Sequence, residues 1–217
     1  MTVSMGIIKQ NKYPHLEFEN VLWENGILWI AGIDEAGRGA LAGPVVSAAV
    51  ILPMIVDLDK KLDGVRDSKL MSEKDRTKWA VEIKRVAVSW SIGFASAEEI
   101  DHIGIVPATR LASSRALAQL NVCPECLLLD YLQLPNSPFA QVSLPKGDQC
   151  SMSIAAASIL AKTSRDSMLV EMDTQFPGYG FAKHKGYGTA EHFRALERLG
   201  PCSTHRYSFA PLRLAYD

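Results

Sequence analysis

Two neighbouring carboxylates, Asp34 and Glu35, stand at the end of a short apolar run and just before the glycine-rich stretch Gly37-Arg38-Gly39. Side chains alternate between the two faces of a strand, so adjacent acids cannot both face a dry core. At least one of them must lie at the rim of the sheet, where the strand gives way to a loop. There the pair can bind a hard cation, act as acid and base, or stay solvated, and an isolated pair of this kind is most often solvated.

Two further acids make a functional role more plausible than a solvated pair, because each of them also follows an apolar run. Asp130 ends a run of leucines, and Asp148 lies in a turn just before a long alanine-rich segment. Ligands of α/β sheets bind in the crevice beyond the strand ends, where three strands would each deliver a carboxylate. Converging acids repel one another unless cations neutralise them, and Mg²⁺ and Mn²⁺ prefer carboxylate and water oxygens. The sequence therefore predicts a site for Mg²⁺ or Mn²⁺ at Asp34, Glu35, Asp130 and Asp148.

The composition is that of an ordinary soluble globular protein, with 47% hydrophobic and 22% charged residues in 217. Charged or polar residues interrupt every apolar run before the ~18 residues that a membrane span needs. The first residues lack the apolar core of a secretory signal, so a cytoplasmic protein without a membrane partner is expected. Cys123 and Cys126 form a C-x-x-C pair without a second pair at zinc-binding spacing, which favours a packing role.

Net charge is −1, which argues against a general nucleic-acid coat protein. The segment 182–206 departs from this average, because it carries five Lys or Arg and three His against two Glu. Tyr187 and Phe193 are interleaved with these cations. Such a mixture can follow a phosphate backbone, and a solvated helix face has a similar composition, so both interpretations stay open.

Hydrophobic periodicity divides the chain into elements. Residues 1–26 are expected to be a weakly ordered N-terminal segment, and 54–67 a loop. Strands are predicted at 28–33, 44–52, 88–94, 126–130 and 140–144, and helices at 73–87, 97–103, 107–120, 151–172 and 189–200. A meander followed by strand-helix units predicts an α/β fold over 27–175, a mixed five-stranded sheet with helices on both faces. Residues 176–217 are expected to form a helical C-terminal extension packed on it.

Seven stretches between residues 30 and 210 carry a resemblance to a known family. They are Gly32-Ile-Asp-Glu-Ala-Gly-Arg-Gly39, Asp67-Ser-Lys69, Leu129-Asp130, Lys146-Gly-Asp148, Ala155-Ala-Ala-Ser-Ile-Leu-Ala-Lys162 with Arg165-Asp166, His184-Lys-Gly-Tyr187, and His205-Arg-Tyr-Ser-Phe209. In these residues and their order the chain resembles ribonuclease HII, the type 2 ribonucleases H. The resemblance implies a ribonuclease H-like fold and an expected monomer that acts on RNA/DNA hybrids and on DNA duplexes containing ribonucleotides.

The same resemblance implies roles for individual residues. The four acids hold two divalent metals, the backbone at Gly37, Arg38 and Gly39 reads a ribose 2′-hydroxyl, and Tyr187 packs on the sugar at the RNA-to-DNA step. The other substrate-binding residues expected from the matching stretches are Ser68, Lys69, Lys146, Lys162, His184 and Lys185. The implied reaction cuts the RNA strand of a hybrid, or the DNA strand 5′ of an embedded ribonucleotide, and leaves a 3′-hydroxyl and a 5′-phosphate.

Two positions depart from the family's pattern. The family often has Gly after the third acid, where this chain has Tyr131, and the bulk of that residue is expected to alter the loop over the site. The stretch Asp67-Ser-Lys-Leu70 also lacks a second lysine, which leaves Lys69 as the phosphate-binding candidate.

Other interpretations compete with these roles. Lys162 and Arg165 fit a solvated helix face, and Asp166 is as plausible an i,i+4 partner of Lys162 as a metal ligand. His184 is expected to support the site rather than bind metal. A catalytically silent hybrid-binding module would gain nothing from four clustered acids facing phosphate. A glycosidase with two carboxylates would need no metal, so activity that survives a chelator would favour it.

Overall fold

The structure, a computed structural model, describes residues 13–210 and 212–213. Its strands are β1 (Ile30–Ala36), β2 (Val45–Ile51), β3 (Ser89–Ala95), β4 (Cys126–Asp130) and β5 (Ala140–Leu144). They form one sheet in the order β3-β2-β1-β4-β5. The β1–β2 and β2–β3 pairs are antiparallel, whereas β1–β4 and β4–β5 are parallel. The predicted mixed five-stranded sheet is confirmed.

The helices are, in chain order, α1 (Glu17–Glu24), α2 (Leu58–Lys61), α3 (Glu73–Val86), α4 (Ala97–Ile103), α5 (Ile105–Ala118), α6 (Gly147–Cys150), α7 (Met152–Gln175), α8 (Phe181–His184) and α9 (Ala190–Leu199). A single 3₁₀ turn covers Ser68–Leu70. The five predicted helices are confirmed, and their ends lie within three residues of the expected ones. None of the helices in the described part of the chain is both long and apolar enough to cross a membrane.

Side-chain caps explain where several of these helices begin. The Ser72 hydroxyl accepts a hydrogen bond from the Asp75 backbone N–H at 3.1 Å, and Thr189 accepts one from the His192 N–H at 3.2 Å. At α4, Ser96 and Glu99 form a reciprocal capping box. Each cap satisfies N–H groups that the first helical turn would otherwise leave without a partner.

Helix α7 crosses one face of the sheet at very short range. A Cβ atom at Gly32 of β1 would lie 2.2 Å from the Ser153 backbone carbon, so only glycine allows this approach. The buried alanines 155, 156 and 157 keep the facing side of the helix equally small. Helix α5 covers the other face, where Ala116 joins Ala31 and Ile33 in a buried apolar cluster. Helices therefore lie on both faces, and α7 is seated directly against the strand that carries Asp34.

The expectation of a weakly ordered segment at 1–26 is wrong for its later part. Residues 17–24 form α1, which buries Leu22 and Trp23 in the main core, while residues 1–12 lie outside the described part of the chain. Glu19 is also fully buried, and its carboxylate accepts hydrogen bonds from Ser151 Oγ, Ser153 N and Ser153 Oγ at 2.6–2.9 Å. A helix of eight residues has little stability of its own, so these distant contacts create it.

Three short helices were not predicted, namely α2, α6 and α8. The first interrupts the expected loop at 54–67 and places Leu58 and Leu62 in the core.

The C-terminal part of the chain packs on the sheet domain through a separate apolar cluster, in which Phe181 and Leu196 meet Leu41 and Leu169. This packing brings the 184–187 segment against the loop that joins β1 to β2.

Candidate active site

Three carboxylates converge at one edge of the sheet. In the parallel β1–β4 pair Ile33 lies beside Leu129, so the next residue of each strand, Asp34 and Asp130, emerges at the same edge. Asp148 reaches the same point from α6, just after β5. One carboxylate oxygen from each of the three acids lies within 4.8 Å of the others. The predicted convergence of Asp34, Asp130 and Asp148 is therefore present in the structure.

The environment of Asp34 and Asp130 disfavours their negative charge. Burial raises the pKa of Asp34 well above its ordinary value, and the neighbouring Glu35 carboxylate raises it further. Burial also raises the pKa of Asp130, although the Gly147 N–H donates to its Oδ1 at 2.8 Å and stabilises the charged form. The protein thus leaves the charge of the cluster incompletely compensated.

Lys69 is the cation that reaches this cluster. Its Nζ lies 3.1 Å from Asp148 Oδ2, while most of the side chain stays exposed. Partial burial acts to lower the pKa of Lys69, but attraction to Asp148 and a hydrogen bond with it outweigh that effect and raise the pKa. This single exposed ammonium is not enough to neutralise all three acids.

Glu35 adjoins the cluster but is not one of the three acids whose carboxylate oxygens lie within 4.8 Å of one another. Its Oε1 accepts a hydrogen bond from Arg38 Nη1 at 3.1 Å. Burial raises the pKa of Glu35, and the Arg38 guanidinium opposes that shift. The predicted role of Glu35 as a fourth metal ligand stays a prediction, because its carboxylate is turned toward Arg38.

The residues present fit a hard divalent cation. Carboxylate oxygens are the ligands that Mg²⁺ and Mn²⁺ prefer, and Asp34 and Asp148 are 5% and 2% exposed, respectively. A bound cation would stabilise the charged forms of Asp34 and Asp130, which burial disfavours. Asp34, Asp130 and Asp148 are therefore the residues that would hold such an ion.

The fully buried Arg165 of α7 packs against the Gly37–Gly39 loop from the interior of the protein. Its guanidinium donates hydrogen bonds at 2.9–3.0 Å to the carbonyl oxygens of Ala42, Pro44 and Lys185. Gly37 has a φ of 91°, and a Cβ there would lie 1.9 Å from Arg165 Nε. The solvated-surface interpretation of Arg165 is wrong, since this side chain joins the loop to the 184–187 segment.

Arg206 is a second buried arginine under the same loop. It donates to the Gly43 carbonyl through both Nε and Nη2, and to the Arg38 carbonyl through Nη1, at 2.8–3.0 Å. This cation belongs to the basic segment 182–206, yet it is 0% exposed. That segment is therefore not a free basic surface throughout, and part of its charge lies inside the protein.

Tyr187 lies at the surface on this side of the site. Its side chain is 36% exposed, and Arg165 Cζ and Lys162 Nζ lie 5.4 and 5.6 Å from its ring centroid. The preceding Gly186 carbonyl accepts a hydrogen bond from the Leu41 N–H at 2.8 Å. Tyr187 is thus held beside the Gly37–Gly39 loop with one part of its ring open to a ligand.

A chain of hydrogen bonds through two buried histidines ends on the Tyr187 carbonyl. The Cys202 N–H donates to His205 Nδ1 at 3.0 Å, which leaves the proton of neutral His205 on Nε2. His205 Nε2 lies 3.0 Å from His192 Nε2, and His192 Nδ1 lies 3.0 Å from the Tyr187 carbonyl oxygen. The arrangement is satisfied when both rings are neutral, because each then donates once and accepts once.

The other predicted substrate-binding residues occupy varied positions. Ser68 is buried, and its hydroxyl lies 2.9 Å from Ser158 Oγ, which in turn stabilises the Asp34 carboxylate. Lys146 is exposed beside Gly147. Lys162 forms the i,i+4 ion pair with Asp166 at 2.7 Å, which supports the ion-pair interpretation of Asp166.

His184 and Lys185 are partly withdrawn from solvent. His184 is 8% exposed, with Nε2 2.8 Å from the Tyr179 carbonyl oxygen, and Nδ1 accepts from the Gly186 N–H. The Lys185 ammonium lies beside the Ala182 carbonyl. Both residues shape the Tyr187 segment, and a direct substrate contact by either stays a prediction.

Sequence reasoning missed the supporting roles of Arg165, Arg206, Ser158 and the two histidines. All are polar residues on helices or loops, where sequence alone does not separate burial from exposure. The one available signal was that Arg165 and the pair His205-Arg206 lie in the stretches that carry the family resemblance.

Comparison with known proteins agrees with this geometry. The ribonuclease HII family model matches residues 31–212. The chain belongs to the ribonuclease HII family. Ribonuclease HII of Synechococcus sp. (strain JA-3-3Ab) is 54% identical over 200 residues, which cover 92% of this chain and 90% of that protein. A ribonuclease HII of Thermus thermophilus is 50% identical over 197 residues, covering 91% of this chain and 93% of that protein.

The fold of ribonuclease HII is shared with solved structures as well. The ribonuclease H2 from Pyrococcus horikoshii OT3 matches with a TM-score of 0.72 at 21% identity, over 85% of this chain and 95% of that chain. With the family shown, this chain is an endoribonuclease of the ribonuclease H type.

Proposed function

We propose that this ribonuclease HII hydrolyses the RNA strand of RNA/DNA hybrids and also cuts DNA duplexes 5′ of an embedded ribonucleotide, leaving a 3′-hydroxyl and a 5′-phosphate. The observation that carries the proposal is the convergence of Asp34, Asp130 and Asp148 beside the Gly37–Gly39 loop. A module that only bound hybrids would gain nothing from three clustered acids facing a phosphate backbone.

Divalent ions bound at these carboxylates would supply an activated water and a positive charge for the departing oxygen. Asp34, Asp130 and Asp148 would hold these ions, and Glu35 would join them by leaving Arg38. The raised pKa values of Asp34 and Asp130 favour this occupancy, because a cation restores the charged state that burial disfavours. Lys69 is placed beside Asp148 to bind a substrate phosphate.

Recognition of the ribonucleotide is assigned to the Gly37–Gly39 loop, which lies beside the carboxylate cluster. A 2′-hydroxyl both donates and accepts hydrogen bonds, so backbone groups in the Gly37–Gly39 loop suit its detection. A Cβ at Gly39 would meet nothing within 4 Å, which leaves open space beside the backbone. Buried Arg165 and Arg206 keep the loop in place and add positive charge beneath a surface that receives phosphates.

The proposal is tested with a DNA duplex that carries one ribonucleotide. The unaltered chain should cut it 5′ of the ribonucleotide with Mg²⁺ or Mn²⁺ and should stop on addition of a chelator. Asp34→Asn should bind but not cut, whereas Glu24→Gln, which removes an exposed acid just before the opposite end of β1, should cut normally. Cleavage that survives the chelator, or products without a 5′-phosphate, would contradict the proposal.

A further inference from the structure

Tyr131, the residue directly after Asp130, occupies a strained three-residue turn. Its φ is 62°, and the Leu132 N–H donates a hydrogen bond to the Asp130 carbonyl oxygen at 2.7 Å. A positive φ combined with this bond describes a γ-turn of the rare, strained form. An aromatic residue is disfavoured in this region of backbone space, and glycine would adopt the same turn without penalty.

The side chain gains nothing inside the protein to offset that strain. Tyr131 is 76% exposed, and among the large hydrophobic residues of the described chain only Val56 and Leu70 are more exposed. Within residues 13–210 and 212–213 its ring makes no aromatic or cation contact and its hydroxyl no hydrogen bond. A strained backbone whose side chain makes no stabilising contact within the protein is typical of a residue that binds a ligand.

The position of Tyr131 complements that of Tyr187. The segment carrying Tyr187 contacts the β1–β2 loop through Leu41 and so lies on the β2 side of β1. Asp130 ends β4, which is the neighbour of β1 on its other side. The two tyrosines therefore lie on opposite flanks of the carboxylate cluster, and a strand whose phosphate sits at the cluster extends past both.

We propose that Tyr131 is a substrate-binding residue, which packs its ring on the sugar of the nucleotide 5′ to the scissile phosphate. This inference rests on the proposed function and on the role that the family resemblance implies for Tyr187, which is to pack on the sugar at the RNA-to-DNA step, on the 3′ side of the cut. Bases of a duplex stay in their stack, so a ring that approaches the strand from outside meets the sugar. Loss of one aromatic contact of this kind corresponds to roughly a fivefold change in affinity.

Tyr131→Gly separates this role from a structural one. The variant removes the ring and relieves the turn, so the melting temperature should rise while KM for the ribonucleotide-containing duplex rises about fivefold and kcat stays within about twofold. Tyr131→Phe keeps the ring and should keep the wild-type KM. Asp57→Gly is the matched control, because Asp57 has a φ of 61° in a segment that carries none of the site residues, so it should leave KM unchanged.

A shortened substrate locates the contact. A duplex trimmed to begin at the scissile phosphate has no bond to cut, so binding in Ca²⁺ is compared instead. Tyr131→Gly should bind the full duplex about fivefold more weakly than the unaltered chain does, and the trimmed duplex equally well. The inference is overturned if Tyr131→Gly has a wild-type KM on the full duplex, if Tyr131→Phe loses as much as Tyr131→Gly, or if the loss persists on the trimmed substrate. Failure of the proposed function would show differently, as an unaltered chain that does not cut the full duplex.

Discussion

Acid should destabilise this protein through the two histidines beneath Tyr187, and the size of the effect follows from one pKa. Burial, with a smaller contribution from His192, lowers the pKa of His205 from 6.5 to about 4. The unfolded chain therefore binds a proton at His205 that the folded chain excludes, so stability is complete above pH 6.5 and falls as the pH drops toward 4. At roughly 1.4 kcal/mol per pH unit, the loss between pH 7 and pH 5 is about 2 kcal/mol.

The perturbation that isolates this effect is His205→Gln, whose amide can donate to His192 Nε2 but does not titrate. Urea unfolding at pH 7, 6 and 5 gives the free energy of unfolding of each protein. The unaltered chain should lose about 2 kcal/mol more than His205→Gln over that interval, and His102→Gln, at an exposed histidine, should behave like the unaltered chain. The site carboxylates titrate in every variant, so only the difference between proteins is compared. Parallel pH profiles for the unaltered chain and His205→Gln would refute the reasoning.

Three further outcomes are expected. Asp34→Asn keeps the shape of the carboxylate but removes a charge that would bind metal. Single-turnover cleavage with Mg²⁺ should therefore fall roughly 10³-fold or more, while substrate binding persists. A near-normal cleavage rate would contradict the metal assignment. Ca²⁺, which prefers longer bonds and higher coordination, should give bound but uncut substrate in a gel-shift and cleavage assay, and rapid turnover in Ca²⁺ alone would count against the geometry. Tyr187→Ala should lower kcat/KM more at a single embedded ribonucleotide than within a long hybrid at one fixed salt concentration, and equal losses would assign Tyr187 to general positioning.

The sheet and its carboxylates were accessible from the sequence because their signals are local. An apolar run that ends in an acid predicts both a strand and the place where its side chain emerges, as for Asp34 and Asp130. Parallel pairing of β1 with β4 then follows from the order of strands and helices. The convergence with Asp148 needed no information beyond these patterns and the family resemblance.

Other features depended on contacts between distant segments. Arg165 has the same sequence signature as a solvated helix cation, and its burial is created by loops more than a hundred residues earlier in the chain. The ion pair between Glu35 and Arg38 depends on the conformation of the Arg38 side chain, which the motif does not specify. Helix α1 was missed because its stability comes from packing rather than from its own eight residues.

The cap that Glu19 provides for α7 sets a lower limit on how far the protein can be shortened. Helix α1 lies upstream of residue 31, where the match to the family begins. A version trimmed to that boundary would keep every site carboxylate but would remove the anion from the start of α7 and uncover the surface beneath Leu22 and Trp23. Because Ser158 lies within two turns of that end of α7, fraying there would weaken the support of Asp34. Expression clones for crystallography or enzymology should therefore begin before residue 17.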